Sequence, residues 1–382
     1  MGRRPRLTAA ARTTWANRVS RSIKAVKNAK RAMVGRKAIA PGQHNVLPHG
    51  RVTAIDVVYT WVGDTAQLRD MRMHHLLRSG QRGAPTDNSS NRYADNGELR
   101  YSLRSIYTFA PWVRRIFIVC DDHQRPPFLS ADAEQCSIPV TVVKHSQLFT
   151  GDCAAHLPTF NSQAIEAHLH KIPGLSEHFI YFNDDMFLGQ PCTPGDFFTA
   201  SGSARYLLHG TVPKGPMRRG LSKHAMAWIN NTKLLDAIFP RTRGKPRQYP
   251  THQAVSMLKS SFENAWASPL VRRCLLRTSA SRFRGTDNIY LIGFLVYWNI
   301  YQKMANRGHH EGFYVNLHDK LNYRAVLSHL MHKRPHLFCL NDNMRSNRLD
   351  GTLYTRRCLE KYFPTATILE VSETAGAAPP GD

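Results

Sequence analysis

Two adjacent carboxylates interrupt an apolar run in the stretch FIYFNDDMFL, from Phe179 to Leu188. An ionised aspartate is costly in an apolar strand unless a partner offsets its charge. The triplet Asn183, Asp184 and Asp185 is typical of a turn, because Asn and Asp favour the backbone geometry that ends a strand. The same side chains also supply the oxygen ligands that Mg²⁺ prefers. This stretch alone supports both interpretations.

Three more polar sets appear farther along the chain. Arg282 and Arg284, in SASRFRGTDN, are spaced to clamp one phosphate between two guanidinium groups, although a solvated basic turn has the same composition. Asn341 and Asp342 follow an apolar run, as the first acidic pair does. His252, in YPTHQA, is a candidate general base for a sugar hydroxyl, because imidazole exchanges protons near neutral pH.

Together these residues fit a nucleotide-sugar site. A sugar linked to a nucleoside diphosphate carries about two negative charges, which a divalent cation and arginines neutralise as a phosphoryl group transfers. Asp184 and Asp185 are predicted to hold Mg²⁺ or Mn²⁺. Asn341 and Asp342 repeat the same pattern farther along the chain, and two such pairs are harder to explain as turns alone.

The elements that must position these residues alternate between strand and helix patterns. A helix pattern over Asn96–Ala110, with Asp95 or Asn96 as its N-cap, lies between the first two strands, and another lies in Phe160–Leu169. Such alternation predicts an α/β fold: a Rossmann-like or GT-A-like, mainly parallel sheet flanked by helices, with a helical C-terminal part and a basic N-terminal helix. Ligands bind outside the carboxyl ends of strands in such sheets. The predicted strands are Ile55–Val62, Ile116–Cys120, Val140–Val143 and Phe179–Phe182.

The composition indicates a globular protein. The chain has 382 residues, of which 42% are hydrophobic, enough for a large core. No run approaches the roughly 20 apolar residues of a membrane-spanning helix, and the N-terminus lacks the apolar core of a signal peptide. Seven cysteines, an odd number without a CxxC pair, favour reduced thiols in the cytoplasm and argue against a zinc site.

Positive charge is concentrated at the N-terminus. Residues 1–55 contain thirteen Lys and Arg and no acidic residue, within a net charge of +25. Trp15, Val19, Ile23 and Val26 recur at helical spacing, with basic residues at most other positions. We expect an amphipathic helix that binds an anionic membrane surface. Nucleic acid attracts the same charges but is less favoured, because Trp15 is the only strong aromatic here. A solvated tail without a partner stays open.

These patterns predict three parts of the chain. Residues 1–50 form a basic amphipathic arm and linker, of which 1–45 contact the membrane. Residues 51–365 form a catalytic domain. Residues 366–382, which end in the small, proline-rich stretch SETAGAAPPGD, form a disordered tail. The protein is expected in the cytoplasm, peripheral at the inner membrane face.

The chain resembles the Stealth family in four regions that occur in order. Three stretches are similar to its first two conserved regions: IDVVYTWVGD, NGELRYSLRSIYTFAPWVRRIFIVCDD and HLPTFNSQAIEAHLHKIPGLSEHFIYFNDDMFLG. SRFRGTDN with the upstream YPTHQ is similar to the third region, and FCLNDN to the fourth. The resemblance runs from Ile55 to Asn343.

The resemblance implies a sugar-1-phosphate transferase of capsular or cell-surface polysaccharide synthesis. Stealth proteins transfer a hexose-1-phosphate, often N-acetylglucosamine-1-phosphate, from a UDP-sugar to a hydroxyl of an acceptor sugar. The product is a phosphodiester, and UMP leaves. The family also includes the enzyme that builds the lysosomal mannose-phosphate tag in animals. Here the acceptor would be a polysaccharide or a lipid-linked glycan.

The resemblance also implies roles for residues in the matching regions. Those expected to bind the substrate are Asp56, Thr60, Trp61 and Val62 around the uridine and sugar, Asn96, Glu98, Arg100 and Arg104 at phosphate or sugar hydroxyls, and Asn161 and Ser162 at the donor sugar. Those expected to act in catalysis are Asp184, His252 as the base, and Arg282 and Arg284 as the phosphate clamp. Asn341 and Asp342 are expected to close on the metal ion held by Asp184 and Asp185, so two pairs far apart in sequence must meet in space.

Two other functions remain open on the sequence. A metal-dependent UDP-sugar glycosyltransferase would use the same pocket but break the bond at the sugar carbon and release UDP instead of UMP. A noncatalytic basic protein would bind nucleic acid or anionic membrane through its arm, and Asp184→Asn would leave its function unchanged.

Overall fold

A computed structural model describes residues 54–78, 96–212, 221–310, 312–316, 323–341, 349–367 and 369–370. The predicted basic arm and Asp342 of the second acidic pair lie outside these residues. Within the described part of the chain, no helix is long and apolar enough to span a membrane.

Strands and helices alternate through the first half of this part, and helices dominate the second half. The strands are β1 (Ile55–Thr60), β2 (Arg115–Cys120), β3 (Val140–Lys144), β4 (His178–Asn183), β5 (Met186–Leu188), β6 (Ala204–Tyr206), β7 (Leu208–His209), β8 (Tyr249–Pro250), β9 (Val255–Leu258), β10 (Ala305–Arg307), β11 (Gly312–Asn316) and β12 (Leu337–Asn341). The helices are α1 (Ala66–Arg78), α2 (Glu98–Phe109), α3 (His145–Leu148), α4 (Ser162–Glu166), α5 (Pro194–Phe197), α6 (Lys223–Ile238), α7 (Lys259–Ala267), α8 (Pro269–Ala280), α9 (Leu291–Tyr301), α10 (Tyr323–Lys333) and α11 (Leu349–Tyr362).

The central sheet has five strands in the order β3-β2-β1-β4-β9. β1 pairs in parallel with β2 on one side and β4 on the other, so that Val58 lies opposite Phe117 and Tyr181. β9 joins the outer edge of β4 in the antiparallel direction. Nearly all residues of β1, β2 and β4 are buried, as expected for parallel strands covered on both faces. The predicted α/β fold with a mainly parallel sheet is confirmed.

The strand order reverses between β1 and β4. The chain moves outward from β1 to β2 and β3, then returns to the other side of β1 to form β4. In open α/β sheets such a switch point opens a crevice at the carboxyl ends of the strands, and ligands bind there. Thr60 ends β1, Asn183 ends β4, and the two are paired in the sheet. Residues that follow either strand therefore lie at one crevice.

A second, three-stranded sheet brings the C-terminal half of the chain to this crevice. Asp184 and Asp185 form the turn between β4 and β5. β12 pairs antiparallel with β5, and Cys339 lies opposite Met186. Asn341, two residues after Cys339, therefore lies beside the acidic turn, as the metal prediction requires.

Helix α9 forms the centre of the helical layer. Its residues from Leu291 to Asn299 are all buried, which is the pattern of a helix without a solvent face. The helix approaches α6 closely at Gly293, where a Cβ atom would lie only 2.4 Å from the indole of Trp228. This close packing fixes Trp228 and Tyr290 at one wall of the crevice.

The C-terminal segment packs against α2. Leu369 is fully buried, and Glu370 accepts hydrogen bonds from Nε and Nη2 of Arg104, at 2.7 and 2.6 Å. Nε of Arg100 lies 3.8 Å from the same carboxylate. The prediction of a disordered tail is therefore wrong for Leu369 and Glu370, which supply an apolar anchor and an ion pair just before the small-residue stretch. The predicted phosphate role of Arg100 and Arg104 is wrong as well, because both contact this segment.

We expect Glu370→Gln to lower the free energy of unfolding by about 3 kcal/mol. Arg104 would keep its buried charge and lose the carboxylate that offsets it. Urea denaturation of the purified variant measures the change. Glu263→Gln is the matched control, because its ion pair with Lys259 lies on a helix surface and is worth under about 1 kcal/mol. Equal losses in the two variants would contradict the assignment.

Candidate active site

A cavity of about 1120 Å³ occupies the crevice at the switch point. It is bounded by the ends of β1 and β4, the acidic turn, the start of α4 and the segment between β8 and β9. Most of the predicted site residues line it. They are Thr60, Trp61, Val62, Asn96, Glu98, Ser162, Asp184, Asp185, His252, Arg284 and Asn341.

The β4–β5 turn places two carboxylates in this cavity. Asp184 and Asp185 both line it, and Asn341 at the end of β12 does so too. The turn and cation interpretations of the acidic pair are thus compatible, since the pair forms a turn and also borders the cavity. Oδ2 of Asp185 accepts a hydrogen bond from Sγ of Cys339 at 3.3 Å. Its Oδ1 is buried without a hydrogen-bond partner among the described residues.

The environment of Asp185 fits a cation ligand. Burial raises the pKa of its carboxyl, although His252 and Cys339 act in the opposite direction. A buried carboxylate oxygen without a hydrogen bond is destabilising unless a positive charge or a donor reaches it. Asp184 and Asn341 add hard oxygen donors, the type that Mg²⁺ and Mn²⁺ take. The residues present therefore fit such an ion.

His252 lies at the same corner of the cavity. Its ligand nitrogen, a carboxylate oxygen of Asp185 and the sulfur of Cys339 all lie within 4.8 Å of one another. Burial and the neighbouring carboxylates raise the pKa of Cys339 well above its ordinary value, so the sulfur stays a thiol. The imidazole ring lies 5.8 Å from the ring of Tyr314, centroid to centroid. His252 is thus placed to accept a proton from a hydroxyl that approaches the acidic pair.

Arg284 reaches the cavity beside α4. Its Nη2 donates to Oγ of Ser162 at 2.6 Å. Burial raises the pKa of Glu166, on the same helix, to about 7, although Arg284 and the hydroxyls of Tyr181 and Ser162 lower it. Because Glu166 is partly protonated near neutral pH, it offsets only part of the guanidinium charge. Arg284 therefore retains positive charge for an anionic ligand.

Glu166 is expected to make the protein less stable as the pH rises. Its pKa of about 7 in the folded state exceeds the ordinary 4.5. The folded state therefore binds the proton more tightly than the unfolded state, and the free energy of unfolding falls as the pH rises between the two values. Glu166→Gln removes this contribution, because an amide does not ionise.

Urea denaturation at about pH 5 and about pH 8 measures this dependence. As the pH rises from about 5 to about 8, the free energy of unfolding of Glu166→Gln should increase relative to that of the wild type by up to about 3 kcal/mol. Glu134→Gln, a change at an exposed position, should keep the wild-type dependence. An unchanged slope in Glu166→Gln would show that the folded state does not hold this proton.

A chain of hydrogen bonds joins the ends of β1 and β4. Oγ1 of Thr60 lies 2.9 Å from the hydroxyl of Tyr181, and that hydroxyl donates to Oδ1 of Asn183 at 2.8 Å. These bonds orient Asn183, which precedes the acidic turn. Trp61 and Val62 continue from Thr60 along the cavity wall.

The start of α2 also reaches the cavity. Asn96 donates its backbone N–H and its Nδ2 to the carboxylate of Glu98, at 2.9 and 2.8 Å. The N-cap of the helix is Gly97 and not the predicted Asp95 or Asn96. Its φ of 83° is a left-handed conformation that glycine adopts without a steric penalty.

Asp56 was predicted to border the substrate pocket, and this prediction is wrong. It lies at the amino end of β1, whereas the cavity opens at the carboxyl end. Its carboxylate pairs with Nη2 of Arg114 at 2.6 Å and accepts the backbone N–H of Ser176 at 2.7 Å. Asp56 is fully buried and links the loop that carries Arg114 to the loop that carries Ser176.

Asn161 and Arg282 also lie outside the cavity lining, so their predicted roles are wrong. Asn161 is the N-cap of α4, and its Nδ2 donates to the carbonyl of Ser281 at 2.9 Å. Nη1 of Arg282 donates to the carbonyl of Pro158 at 2.7 Å. Both side chains satisfy backbone groups of neighbouring loops, which the sequence spacing does not reveal.

The structure adds cavity residues that the sequence analysis did not assign. Asp121 follows β2 at the same sheet edge, and its Oδ2 lies 4.0 Å from Nδ1 of His145. Burial lowers the pKa of His145 to about 4, although the nearby carboxylates raise it, so the ring is neutral at pH 7. Asp121 directly follows a strand, which is the same sequence signal that identified Asp184 as a candidate. Gln163 and Glu166, on a short helix, carry no such signal.

The fold and site are those of an α/β protein with its polar cavity at the carboxyl edge of a parallel sheet. Residues 92–206 match conserved region 2 of the Stealth proteins. The chain is 33% identical to a capsular polysaccharide phosphotransferase of Neisseria meningitidis serogroup B, over 85% of each chain. It is 34% identical to a capsular polysaccharide phosphotransferase of Haemophilus influenzae, over 77% of this chain and 79% of the relative. The protein belongs to the Stealth family and is a phosphotransferase.

Two further similarities extend the comparison. An exopolysaccharide phosphotransferase of Streptomyces coelicolor is 35% identical over 83% of this chain and 57% of its own length. Among solved structures, the apo form of mouse xyloside xylosyltransferase 1 aligns with 76% of this chain and 98% of its own, at 11% identity and a TM-score of 0.34.

Proposed function

We propose that the protein transfers a hexose-1-phosphate, in particular an N-acetylhexosamine-1-phosphate, from a UDP-sugar to a hydroxyl of an acceptor sugar. A phosphodiester forms and UMP leaves, as a step of capsular or cell-surface polysaccharide synthesis. The phosphotransferase relatives support this reaction class. The observation that carries the proposal is that Asp184, Asp185 and Asn341 converge from distant segments beside His252 in one cavity.

The residues divide the work of phosphoryl transfer. When bound at Asp184, Asp185 and Asn341, Mg²⁺ or Mn²⁺ would neutralise charge on the diphosphate oxygens. Arg284 adds a fixed positive charge for the nonbridging oxygens. His252 accepts the proton of the acceptor hydroxyl as that oxygen attacks the β-phosphorus and the bond from phosphorus to the UMP oxygen breaks. No covalent enzyme intermediate is needed.

The cavity is large enough for both substrates. Pockets for single small ligands commonly measure about 300–1,000 Å³, and this one measures about 1120 Å³. Thr60, Trp61 and Val62 are proposed to border the uridine, and Ser162 the donor sugar. The acceptor hydroxyl would enter beside His252, where Tyr314 is half exposed at the cavity.

The proposal is tested by incubating the purified protein with a panel of UDP-sugars, Mg²⁺ and an acceptor glycan, and identifying the mononucleotide that is released. UMP is the expected product. Release of UDP would show cleavage at the sugar carbon and replace the proposal with glycosyl transfer. Failure to cleave any UDP-sugar would contradict both.

We further propose that the basic arm holds the enzyme at the cytoplasmic face of the inner membrane, near a polysaccharide or lipid-linked acceptor. The charge of residues 1–55, with thirteen basic and no acidic side chains, supports this. Removal of residues 1–45 should release the protein from vesicles that contain phosphatidylglycerol and leave UDP-sugar cleavage intact. Unchanged vesicle binding after truncation would contradict the role of the arm.

A further inference from the structure

Three metal-binding side chains meet outside the active-site cavity. Asp196 lies in α5, and His309 and His310 lie in the connection between β10 and β11. Oδ1 of Asp196 is 3.1 Å from Nε2 of His310 and 3.6 Å from Nε2 of His309. The ligand atoms of the three residues all lie within 4.8 Å of one another. Among the described residues that line the active-site cavity, none belongs to this cluster.

A single ion pair accounts for only one of the two histidines, because both face the same oxygen of Asp196. The side chain of His310 is 5% exposed, and its buried Nε2 lies 3.1 Å from that oxygen. The rings of His309 and His310 lie 4.7 Å apart, centroid to centroid. Two protonated rings would repel each other beside a single carboxylate oxygen. A metal ion resolves both points, because it binds the nitrogen lone pairs and leaves the rings neutral.

The two nitrogen–oxygen distances are compatible with the ligands of one zinc ion. Zinc bonds to histidine nitrogen and carboxylate oxygen are about 2.0–2.2 Å long, which places tetrahedral ligands about 3.3–3.5 Å apart. The two nitrogen–oxygen distances lie on either side of this value. Two imidazoles and one carboxylate favour zinc over Mg²⁺, which prefers oxygen.

Neighbouring hydrogen bonds hold these ligands in place. Oδ2 of Asp196 accepts the backbone N–H of Thr193 at 2.7 Å, which leaves Oδ1 for the histidines. The backbone N–H of Gly308 donates to the carbonyl of Tyr206 at 2.8 Å and fixes the chain directly before the histidine pair. Outer hydrogen bonds of this kind orient metal ligands before the ion binds.

We propose that Asp196, His309 and His310 bind one Zn²⁺, with water as the fourth ligand on the exposed side of His309. The cysteine spacing argued against a zinc site, but this one uses only nitrogen and oxygen. The ion would tie α5 to the β10–β11 connection. β11 follows directly and contributes Gly312 and Tyr314 to the active-site cavity. The role of the zinc is therefore to hold one wall of that cavity.

The test measures zinc binding by the full chain. The protein is stripped with a chelator, given one equivalent of zinc sulfate and desalted, and its zinc content and melting temperature are measured. We expect about one zinc per chain and a higher melting temperature than without metal. Asp196→Asn and His310→Gln should lose the zinc, and Asn keeps an oxygen that can accept from Thr193. His332→Gln, at an exposed position at the end of α10, should bind zinc like the wild type.

Cobalt distinguishes this site from the cluster of Asp185, His252 and Cys339. Co²⁺ bound by nitrogen and oxygen gives visible bands without the near-ultraviolet sulfur-to-cobalt band that Cys339 would add. With excess Mg²⁺ present to occupy the site at Asp185, we expect no sulfur band in the wild type and an unchanged cobalt spectrum in Asp185→Asn. A sulfur band would overturn the proposal. So would zinc that is lost in Asp185→Asn and kept in Asp196→Asn, or a failure of the wild type to retain zinc.

Discussion

Asp185→Asn is expected to reduce turnover by at least about 10³-fold and leave the metal-free protein no less stable. The amide matches the carboxylate in shape but lacks the charge that would hold a divalent cation. Burial disfavours the ionised carboxyl and raises its pKa, so we expect the neutral amide to cost the metal-free fold little. Loss of activity without loss of stability would mark Asp185 as a residue kept for function. UMP release and urea denaturation measure the two effects.

A second measurement separates loss of the cation from a general disturbance of the cavity. Mg²⁺ or Mn²⁺ should raise the melting temperature of the wild type and have no effect on Asp185→Asn, because a ligand stabilises only the state that binds it. Asp122→Asn is the control. Asp122 also follows a strand of the central sheet, but its carboxylate contacts Ser146 and lies outside the cavity lining. If Asp122→Asn lost as much activity as Asp185→Asn, the loss could not be assigned to metal binding, because Asp122 only shares with Asp185 a position after a strand.

The central sheet was predictable because its signals are local. The four predicted strands fall within two residues of β1, β2, β3 and β4. An apolar run that ends in polar residues identifies both a buried strand and the edge at which it stops. That edge is where the cavity lies, so the rule that ligands bind at carboxyl ends of parallel strands located Asp184 and Asp185. The same rule would have excluded Asp56, which lies at the amino end of its strand.

That the two acidic segments meet was predicted, but the strand pairing that brings them together was not. The family resemblance implied that Asn341 joins Asp184 and Asp185, and the structure shows why they meet: β12 pairs with the short strand that follows the acidic turn. No local pattern contains that pairing. Nor does one contain the burial of Glu166, whose raised pKa depends on the residues packed around α4.

Arginine positions were the least predictable part of the site. A long side chain reaches several ångströms from its backbone, so sequence spacing does not decide which partner the guanidinium meets. Arg100 and Arg104 share a helix face, as predicted, yet that face meets Glu370, and neither arginine lines the cavity. Arg282 and Arg284 were expected to act as one clamp, but only Arg284 lines the cavity.

These two arginines provide the most direct test of the phosphate site. Arg284→Ala should lower kcat/KM for UMP release by about 10²–10³-fold with little change in stability, because a fixed positive charge near the reacting phosphates is lost. Arg284→Lys should recover only part of the activity, since lysine keeps the charge but not the planar fork. UDP-sugar cleavage assays on the three proteins measure this order.

Arg282→Ala is the matched control two residues away. It should lower the free energy of unfolding by about 1–3 kcal/mol, because the carbonyl of Pro158 loses its donor. The folded fraction should keep near wild-type kcat/KM, since Arg282 does not line the cavity. If Arg284→Ala loses activity but not stability, and Arg282→Ala loses stability but not activity, the anion site lies at Arg284 and Ser162. If Arg282→Ala instead lost activity at full stability, the loop that carries Pro158 would have to move during catalysis and bring Arg282 to the substrate.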